Sequence, residues 1–556
     1  MPAHPNLVAL HRQAAERWGS ATALRYRKYG LYHDLSWRDY RRQVERAAAG
    51  LIDLGIAPGD RVALLAANCW QWLAADVAIL ATGAADVPLH APLSPRQVEF
   101  QLQHSGARGV FVGDQVQADK IAAVLDLLPD LEFLIAIEPV QFPPGVELIT
   151  WDGLQQRGHG CGTAGRQELA RREAALGHTD LATVIYTSGT TGNPKGVMLS
   201  HGNLLSNAES MIEISDTLSS DVLMSWLPYS HIYARTVDHY LTMLAGTTIC
   251  LAESPDTLLT NIAEAAPTWI TAVPRFYEKV WAQVAGLSPA ERGRELRRLF
   301  GPRMTRLTSG GAPLPKSIAQ GYIGAGFPML EGYGLTESSP VISFNRFNSI
   351  RPGTVGRAIN GVEIRIAPDG EILTRGPHVM LGYWRDEAAT AAAIVDGWLH
   401  TGDVGTLDAD GYLTITDRKK DLIITSGGKN IAPTELERLL TSDPYIDQAV
   451  VYGDARPFVS ALIVPKADLI QAQAAALGCR LTIRDGIIEC EPIHSFIAAR
   501  ISYLMQAVSQ PEQVRAFVLL ASPFQIDAGE LTATFKVRRR QIVQNYQRHL
   551  EALYAE

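Results

Sequence analysis

Residues 186–196 read YTSGTTGNPKG, a run of hydroxyls, three glycines, a proline and one lysine set between the apolar stretches LATVIY (181–186) and GVMLSH (196–201). Both flanks read as strands, so the glycines and hydroxyls fall on the loop that joins them. A Walker-type cradle is disfavoured, because Pro194 precedes Lys195 and Gly196 follows it, where G-x-x-x-x-G-K-[ST] needs Gly-Lys-Ser/Thr opening a helix. What remains is a loop whose backbone N–H groups, Ser and Thr hydroxyls and single ammonium can surround a polyphosphate. Standing alone it would be an ordinary Gly-rich hairpin.

Upstream of the loop, helices and strands alternate. SWRDYRRQVERAAAGLIDLG (36–55) opens with the capping pair Ser36 and Asp39 and sets Trp37, Tyr40, Val44, Ala47, Leu51 and Leu54 on one helical face, with Gly55 as the stop. GDRVALLAAN, RGVFVGD and LEFLIAI read as buried strands of a layered α/β domain with parallel pairing. LAADVAILATGAADVPL (73–89) is the most apolar stretch, but Asp76, Asp86 and Pro88 interrupt it and it is too short to span a bilayer, so it reads as a buried helix followed by a strand.

Downstream, GVEIRIAPDGEILTRG (361–376) and GWLHTGDVGTLDADGYLTITD (397–417) carry Pro-Asp-Gly and Asp-Ala-Asp-Gly turns between alternating runs, the texture of a small antiparallel β subdomain. After the charged joint RKKD come IDQAVVYGD, VSALIVP, a helix-like DLIQAQAAALG, the strand VRAFVLL and a basic C-terminal helix. The expected class is therefore α/β. A large N-terminal domain, residues 1–417, holds layered α/β subdomains plus the small β subdomain, and a small α+β domain follows over residues 421–556.

Bulk composition agrees. A chain of 556 residues exceeds the size at which one core stops growing, and 47% apolar with 19% charged residues is the balance of a globular enzyme. The formal charge of -8 lacks the basic excess of a nucleic-acid partner. The five cysteines are odd in number and form no C-x-x-C pair, which disfavours a disulfide framework or zinc site. The first residues, MPAHPNLVALHRQAAERWG, lack the basic and apolar regions of a signal peptide, so a cytoplasmic location is expected.

Further loops supply chemistry of the same kind. In TSGGAPL (308–314) and EGYGLTESSP (331–340), tight glycines and Tyr333 can wall a base while Thr336 and Glu337 offer oxygens to phosphate and a hard cation. Asp403 in LHTGDVG can accept both hydroxyls of a ribose, and Arg418 adds a fixed cation. Each residue also has a plain structural use: a turn, a turn-capping aspartate, a solvated joint.

Together, YTSGTTGNPKG, GYGLTES, TGD, DRKKDLIITSGGKNI and LTATFKVRR, in this order, resemble the adenylate-forming superfamily of acyl-CoA synthetases, luciferases and peptide-synthetase adenylation domains. LPYSHIYAR (227–235), VPRFYEKV (273–280), SGGKNIAP (426–433) and LTATFKVRRR (531–540) are most similar to its long-chain fatty acyl-CoA synthetases. The resemblance implies that ATP and a fatty acid form acyl-AMP and pyrophosphate, and that coenzyme A then displaces AMP. Small-molecule substrates are thus the expected partners, with no nucleic acid. The oligomeric state is left open, as is a peripheral contact between the basic KVRRR and the inner face of an anionic membrane.

By match to the family motifs, Thr187, Ser188, Gly189, Thr190, Thr191 and Lys195 would handle the β and γ phosphates. Gly310, Gly311, Ala312 and Tyr333 would line adenine, Asp403 and Arg418 would hold the ribose, Thr336 would touch the α-phosphate, and Glu337 would bind Mg2+. Lys536 would bridge substrate carboxylate and α-phosphate, with His231 lining the acyl pocket. The stretch 418–420 would be a hinge centred on Lys420, making the C-terminal domain mobile, and Ser426, Gly427, Gly428, Lys429 and Asn430 would line the coenzyme A channel. Lys429-Asn430 stands where some bacterial relatives carry a Trp gate. Two rival readings are an adenylate former that passes its acyl group to a carrier protein or another acceptor, and a catalytically silent nucleotide- or lipid-binding relative.

Overall fold

The structure, a computed structural model, describes residues 4–187, 194–419, 423–424, 430–531 and 537–555. It is a mixed α/β chain of two compact units. The larger comprises residues 1–365, 373–401 and 407–413, and the smaller residues 366–372, 402–406 and 414–556.

The larger unit is built on two sheets. In the eight-stranded sheet the parallel strands Arg61–Leu65, Ala85–Leu89, Gly109–Val112, Phe133–Ala136 and Glu147–Thr150 are joined by Leu181–Thr187, which turns back antiparallel into Lys195–Ser200; Gly382–Tyr383 closes that edge. Its central strands show no alternation of polar and apolar residues. Val62, Ala63, Leu64 and Leu65 are all fully buried in succession, as are Val110, Phe111 and Val112, because a parallel sheet is covered on both faces. The nine-stranded sheet carries the parallel run Thr22–Lys28, Thr248–Leu251, Val222–Ser225, Trp269–Ala272, Arg306–Ser309 and Met329–Gly334, with antiparallel strands added at both ends.

Local signals explain several elements. The helix Trp37–Asp53 starts where Ser36 Oγ accepts from the Asp39 N–H, a cap worth about 1 kcal/mol. Trp37, Tyr40, Val44, Ala47 and Leu51 of the expected face are buried, while Leu54 falls at the C-cap and stays partly exposed. The stretch 73–89 is the helix Trp70–Ala81 followed by the strand Ala85–Leu89, and its two aspartates are fully buried. At the end of the strand Lys195–Ser200, Ser200 opens the helix His201–Ser215 with a capping box to Asn203.

In the smaller unit the strands Ile446–Tyr452 and Val459–Pro465 pair antiparallel, and Val514–Leu519 pairs parallel to the second. The helices Pro433–Thr441, Ala467–Ala476 and Glu491–Met505 are amphipathic about Leu436, Leu440, Ile470, Ile493, Ile497 and Ile501, which share one core with this sheet. The single basic C-terminal helix expected from the sequence is two short helices, Arg539–Asn545 and Gln547–Ala552, broken at Tyr546. No helix among the described residues is long and apolar enough to cross a membrane.

Candidate functional site

The strands Val222–Ser225, Trp269–Ala272, Arg306–Ser309 and Met329–Gly334 run parallel, so the loops leaving their carboxyl ends emerge along one edge of the nine-stranded sheet. Those loops carry His231, then Val273, then Gly310, Gly311 and Ala312, then Thr336 and Glu337. This edge is where open α/β sheets bind ligands. Tyr333, 9% exposed, sits on the last of these strands, opposite Ser343 of its antiparallel neighbour.

Close approach explains the glycine at 310. The Gly310 N–H donates to the Ala272 carbonyl at 3.3 Å, and a Cβ on Gly310 would lie 2.9 Å from Tyr233 Cζ, so the ring of Tyr233 lies directly against the loop backbone. Tyr233 is itself oriented by His231, whose Nδ1 accepts the Tyr233 N–H at 3.2 Å. The His231 ring stacks at 6.4 Å on His90, whose Nδ1 meets Ser230 Oγ at 2.7 Å and whose basicity burial lowers to about 4. His90 is thus neutral at physiological pH, and its bond to Ser230 is a neutral hydrogen bond.

A second constellation joins the hairpin to the Glu337 loop. Thr187 faces Lys195 across the antiparallel pair, and Lys195 Nζ lies 4.9 Å from the centroid of the Tyr383 ring. Tyr383 Oη in turn donates to Glu337 Oε1 at 2.9 Å. Burial, with the Glu337 charge beside it, pushes the Tyr383 phenol well above its ordinary value, so it stays protonated and remains a donor. Tyr383 is held at the strand edge by pairing with Val197, and the Trp384 backbone N–H donates to the Gly196 carbonyl at 2.7 Å. A Cβ on Gly196 would meet Val184 at 2.8 Å and Trp384 at 3.2 Å, which accounts for the glycine after Lys195.

Tyr383 is missing from the residues that the sequence singles out. Its only local signal is the aromatic pair after glycine in LGYW (381–384), and its partner Glu337 is 46 residues away. Through one side chain it couples the single lysine of the hairpin to a carboxylate on another sheet's loop. The pair supplies positive charge for phosphate oxygens and a carboxylate for a cation, set at one place.

Arg235, two residues after Tyr233 in the stretch SHIYAR, is not available to a substrate. Its guanidinium is fully buried and pairs with both Asp76 and Asp86, while Nε donates to Tyr240 Oη and Nη1 to Thr183 Oγ1, each at 2.8 Å. His239 Nδ1 lies 3.2 Å from Asp76, and Tyr40 Oη meets His239 Nε2 at 2.8 Å. Burial raises the Asp76 carboxyl, but the Arg235 charge outweighs it and holds Asp76 ionised. Asp86 is raised by burial and by Asp76. Of the two aspartates that interrupt the apolar run 73–89, Asp76 is therefore the counter-ion of a cation inside the core, and Asp86 binds the same guanidinium as a carboxyl whose ionisation burial disfavours.

In the smaller unit, Arg418 Nε lies 2.9 Å from Asp403 Oδ1, and Asp403 is only 4% exposed. The two residues expected at a ribose are thus paired. Neighbouring Lys419 is bound by Asp369 at 2.7 Å and Glu371 at 3.0 Å, which anchors the strand end at the joint. Asn430 begins the short strand Asn430–Ile431, paired with Ile423–Ile424. Ser188, Gly189, Thr190, Thr191, Lys420, Ser426, Gly427, Gly428, Lys429 and Lys536 lie outside the described residues.

Comparison with known proteins bears on this geometry. Residues 11–384 match the AMP-binding enzyme family, and residues 420–556 match the AMP-binding enzyme C-terminal domain. A long-chain-fatty-acid–CoA ligase of Mycobacterium tuberculosis (strain ATCC 25618 / H37Rv), FadD15, is 36% identical over 94% of this chain and 93% of its own. The long-chain-fatty-acid–CoA ligase ACSBG1 of Homo sapiens is 28% identical over 100% and 86% respectively. Among solved structures, the anthranilate CoA ligase AuaEII in complex with anthranoyl-AMP is similar with a TM-score of 0.81 at 20% identity, covering 100% of this chain and 99% of that one. A Mycobacterium tuberculosis fatty acyl CoA synthetase gives 0.65 at 23% identity over 98% and 99%. At those identities the structural likeness speaks to the fold, whereas the two family matches span most of the sequence: the chain belongs to the AMP-binding enzymes.

Proposed function

We propose that this protein is an ATP-dependent fatty acid:CoA ligase that acts on long-chain acids. A carboxylate is a poor acyl donor because its leaving group would be oxide. In the first half-reaction its oxygen attacks the α-phosphorus of ATP, and the bond to the β-phosphate oxygen breaks with its electron pair leaving on pyrophosphate. In the second, the coenzyme A sulfur attacks the acyl carbonyl and AMP departs, taking the electron pair of the acyl–oxygen bond. Both steps bring anions together, so the protein's task is charge neutralisation and alignment.

The observation that carries this reading is the Lys195–Tyr383–Glu337 constellation, with Lys195 4.9 Å from the tyrosine ring and Glu337 2.9 Å from its hydroxyl. Lys195, beside Thr187, would hold the departing pyrophosphate. Thr336 would contact the α-phosphate. A Mg2+ ion usually takes one or two carboxylates and completes its shell with substrate phosphates and water. Glu337, a single carboxylate that accepts from Tyr383 Oη at 2.9 Å, fits that need. Bound there, Mg2+ would offset phosphate charge.

Gly310, Gly311, Ala312 and Tyr333 would line the adenine, Asp403 and Arg418 would hold the ribose, and His231 would line the acyl pocket. Lys536 would bridge carboxylate and α-phosphate, Lys420 would be the hinge on which residues 421–556 turn, and residues 426–430 would then meet coenzyme A. The similarity to FadD15, a long-chain-fatty-acid–CoA ligase, supports the acyl class. The test is acid-dependent exchange of labelled pyrophosphate into ATP over a panel from acetate to oleate with aromatic acids included. Exchange strongest with the long chains is expected; a preference for short or aromatic acids would overturn the long-chain assignment.

A further inference from the structure

Cys479 and Cys490 are separated in the sequence by an exposed hairpin, yet the fold returns them to contact. The strands Thr482–Arg484 and Ile487–Glu489 pair around a turn in which Asp485 and Gly486 both have positive φ, at 50° and 78°. This tight turn brings the chain straight back on itself. Cys479 is fixed just after the helix Ala467–Ala476, its N–H donating to the Ala474 carbonyl at 2.9 Å, and Cys490 is the N-cap residue of the helix Glu491–Met505. The two Sγ atoms lie 3.3 Å apart, and both side chains are partly exposed.

We propose that Cys479 and Cys490 are a reversible redox modification site that closes to an intramolecular disulfide, with a low-molecular-weight disulfide as oxidant. One thiolate attacks a sulfur of the oxidant, RSSR, and the first RS⁻ leaves and takes up a proton. The second cysteine thiolate then attacks the protein sulfur of that mixed disulfide, and the second RS⁻ leaves. Two cysteine thiols and RSSR thus give one disulfide and two RSH, with two electrons and two protons passed to the oxidant. The sulfurs need only move from 3.3 Å to the ~2.05 Å of a bond, within reach of side-chain torsions. The intervening residues Thr482, Ile483 and Arg484 are exposed, whereas Ile488 on the return strand is packed in the core, so closure falls to the cysteine side-chain torsions and the exposed first strand. Of the other three cysteines, Cys250 is buried, and Cys69 and Cys161 belong to separate elements of the larger unit.

The proposal is independent of the ligase reading. The full-length folded protein is equilibrated with glutathione disulfide, quenched with an alkylating agent, and digested with trypsin without reduction. The expected product joins the peptide 467–480, ADLIQAQAAALGCR, to the peptide 485–500, DGIIECEPIHSFIAAR, and dithiothreitol separates them. Titratable thiols in the denatured protein should fall from five to three. Cys479→Ser and Cys490→Ser should each abolish the joined peptide and leave a stable mixed disulfide on the remaining partner. Recovery of both cysteines in wild-type protein as separate mixed disulfides or as alkylated thiols, or their linkage to Cys69, Cys161 or Cys250, would overturn the proposal.

Discussion

Tyr383→Phe removes one hydroxyl from the constellation while leaving the ring beneath Lys195. The lost bond is a 2.9 Å donation to the Glu337 carboxylate. A hydrogen bond to a charged group contributes about 1.5–3 kcal/mol, and the partial exposure of Tyr383 sets it at the lower end. At about 1.4 kcal/mol per tenfold, the adenylation rate at subsaturating MgATP should fall roughly tenfold. Tyr383→Leu also removes the face 4.9 Å from Lys195 Nζ. A cation–π contact worth about 0.5–1 kcal/mol adds a further twofold to fivefold loss. The assay is acid-dependent pyrophosphate exchange with MgATP varied, on variants whose thermal unfolding matches wild type. Because the phenol is pushed up and stays protonated, the Phe effect should be constant from about pH 6 to 8. Wild-type exchange in Tyr383→Phe, with Tyr383→Leu indistinguishable from it, would refute the coupling.

Other residues probe the core and the separate half-reactions. Arg235→Leu strands Asp76 and Asp86 as buried carboxyls without their cation and should destabilise the larger unit by about 3–5 kcal/mol, read as an earlier denaturant midpoint; an unchanged midpoint would contradict the network. Burial raises the Asp238 carboxyl from 3.8 to about 7, against the stabilising donation from Ser225 Oγ at 2.7 Å. The folded state therefore holds an extra proton there between those values, so this group's contribution is full below pH 3.8 and is lost as pH rises through about 7. Asp238→Asn should consequently gain thermal stability relative to wild type as pH is raised from about 5 to 8, and parallel profiles would contradict the assignment. Lys536→Ala should abolish adenylation yet spare thioester formation from supplied acyl-adenylate, measured as separate half-reactions; equal loss of both would contradict domain alternation.

Much of the architecture is legible because its signals are local. The Ser36 and Ser200 caps, the succession of buried strands and helices, and the two-strand setting of YTSGTTGNPKG all depend on residues a few positions apart. Motif order points to the family. What escapes depends on contacts made through space. Asp76 and Asp86 read as interruptions of an apolar run, since nothing near them in sequence announces the buried Arg235 between them. Tyr383 reads as one aromatic among many until strand pairing with Val197 sets it between Lys195 and Glu337. Cys479 and Cys490 lack the C-x-x-C spacing that flags a pair, because a hairpin rather than a helical turn brings them together.

Whether the hairpin lysine serves adenylyl transfer or transfer of a terminal phosphate is decided by the products. Purified protein is incubated with MgATP, palmitate and coenzyme A, and nucleotide products and free thiol are followed together. Adenylyl transfer predicts AMP and pyrophosphate in equal amounts, each matched by the loss of one coenzyme A thiol and dependent on the acid. Formation of ADP and phosphate would contradict adenylyl transfer, and AMP release without thiol loss would contradict coenzyme A as the acyl acceptor.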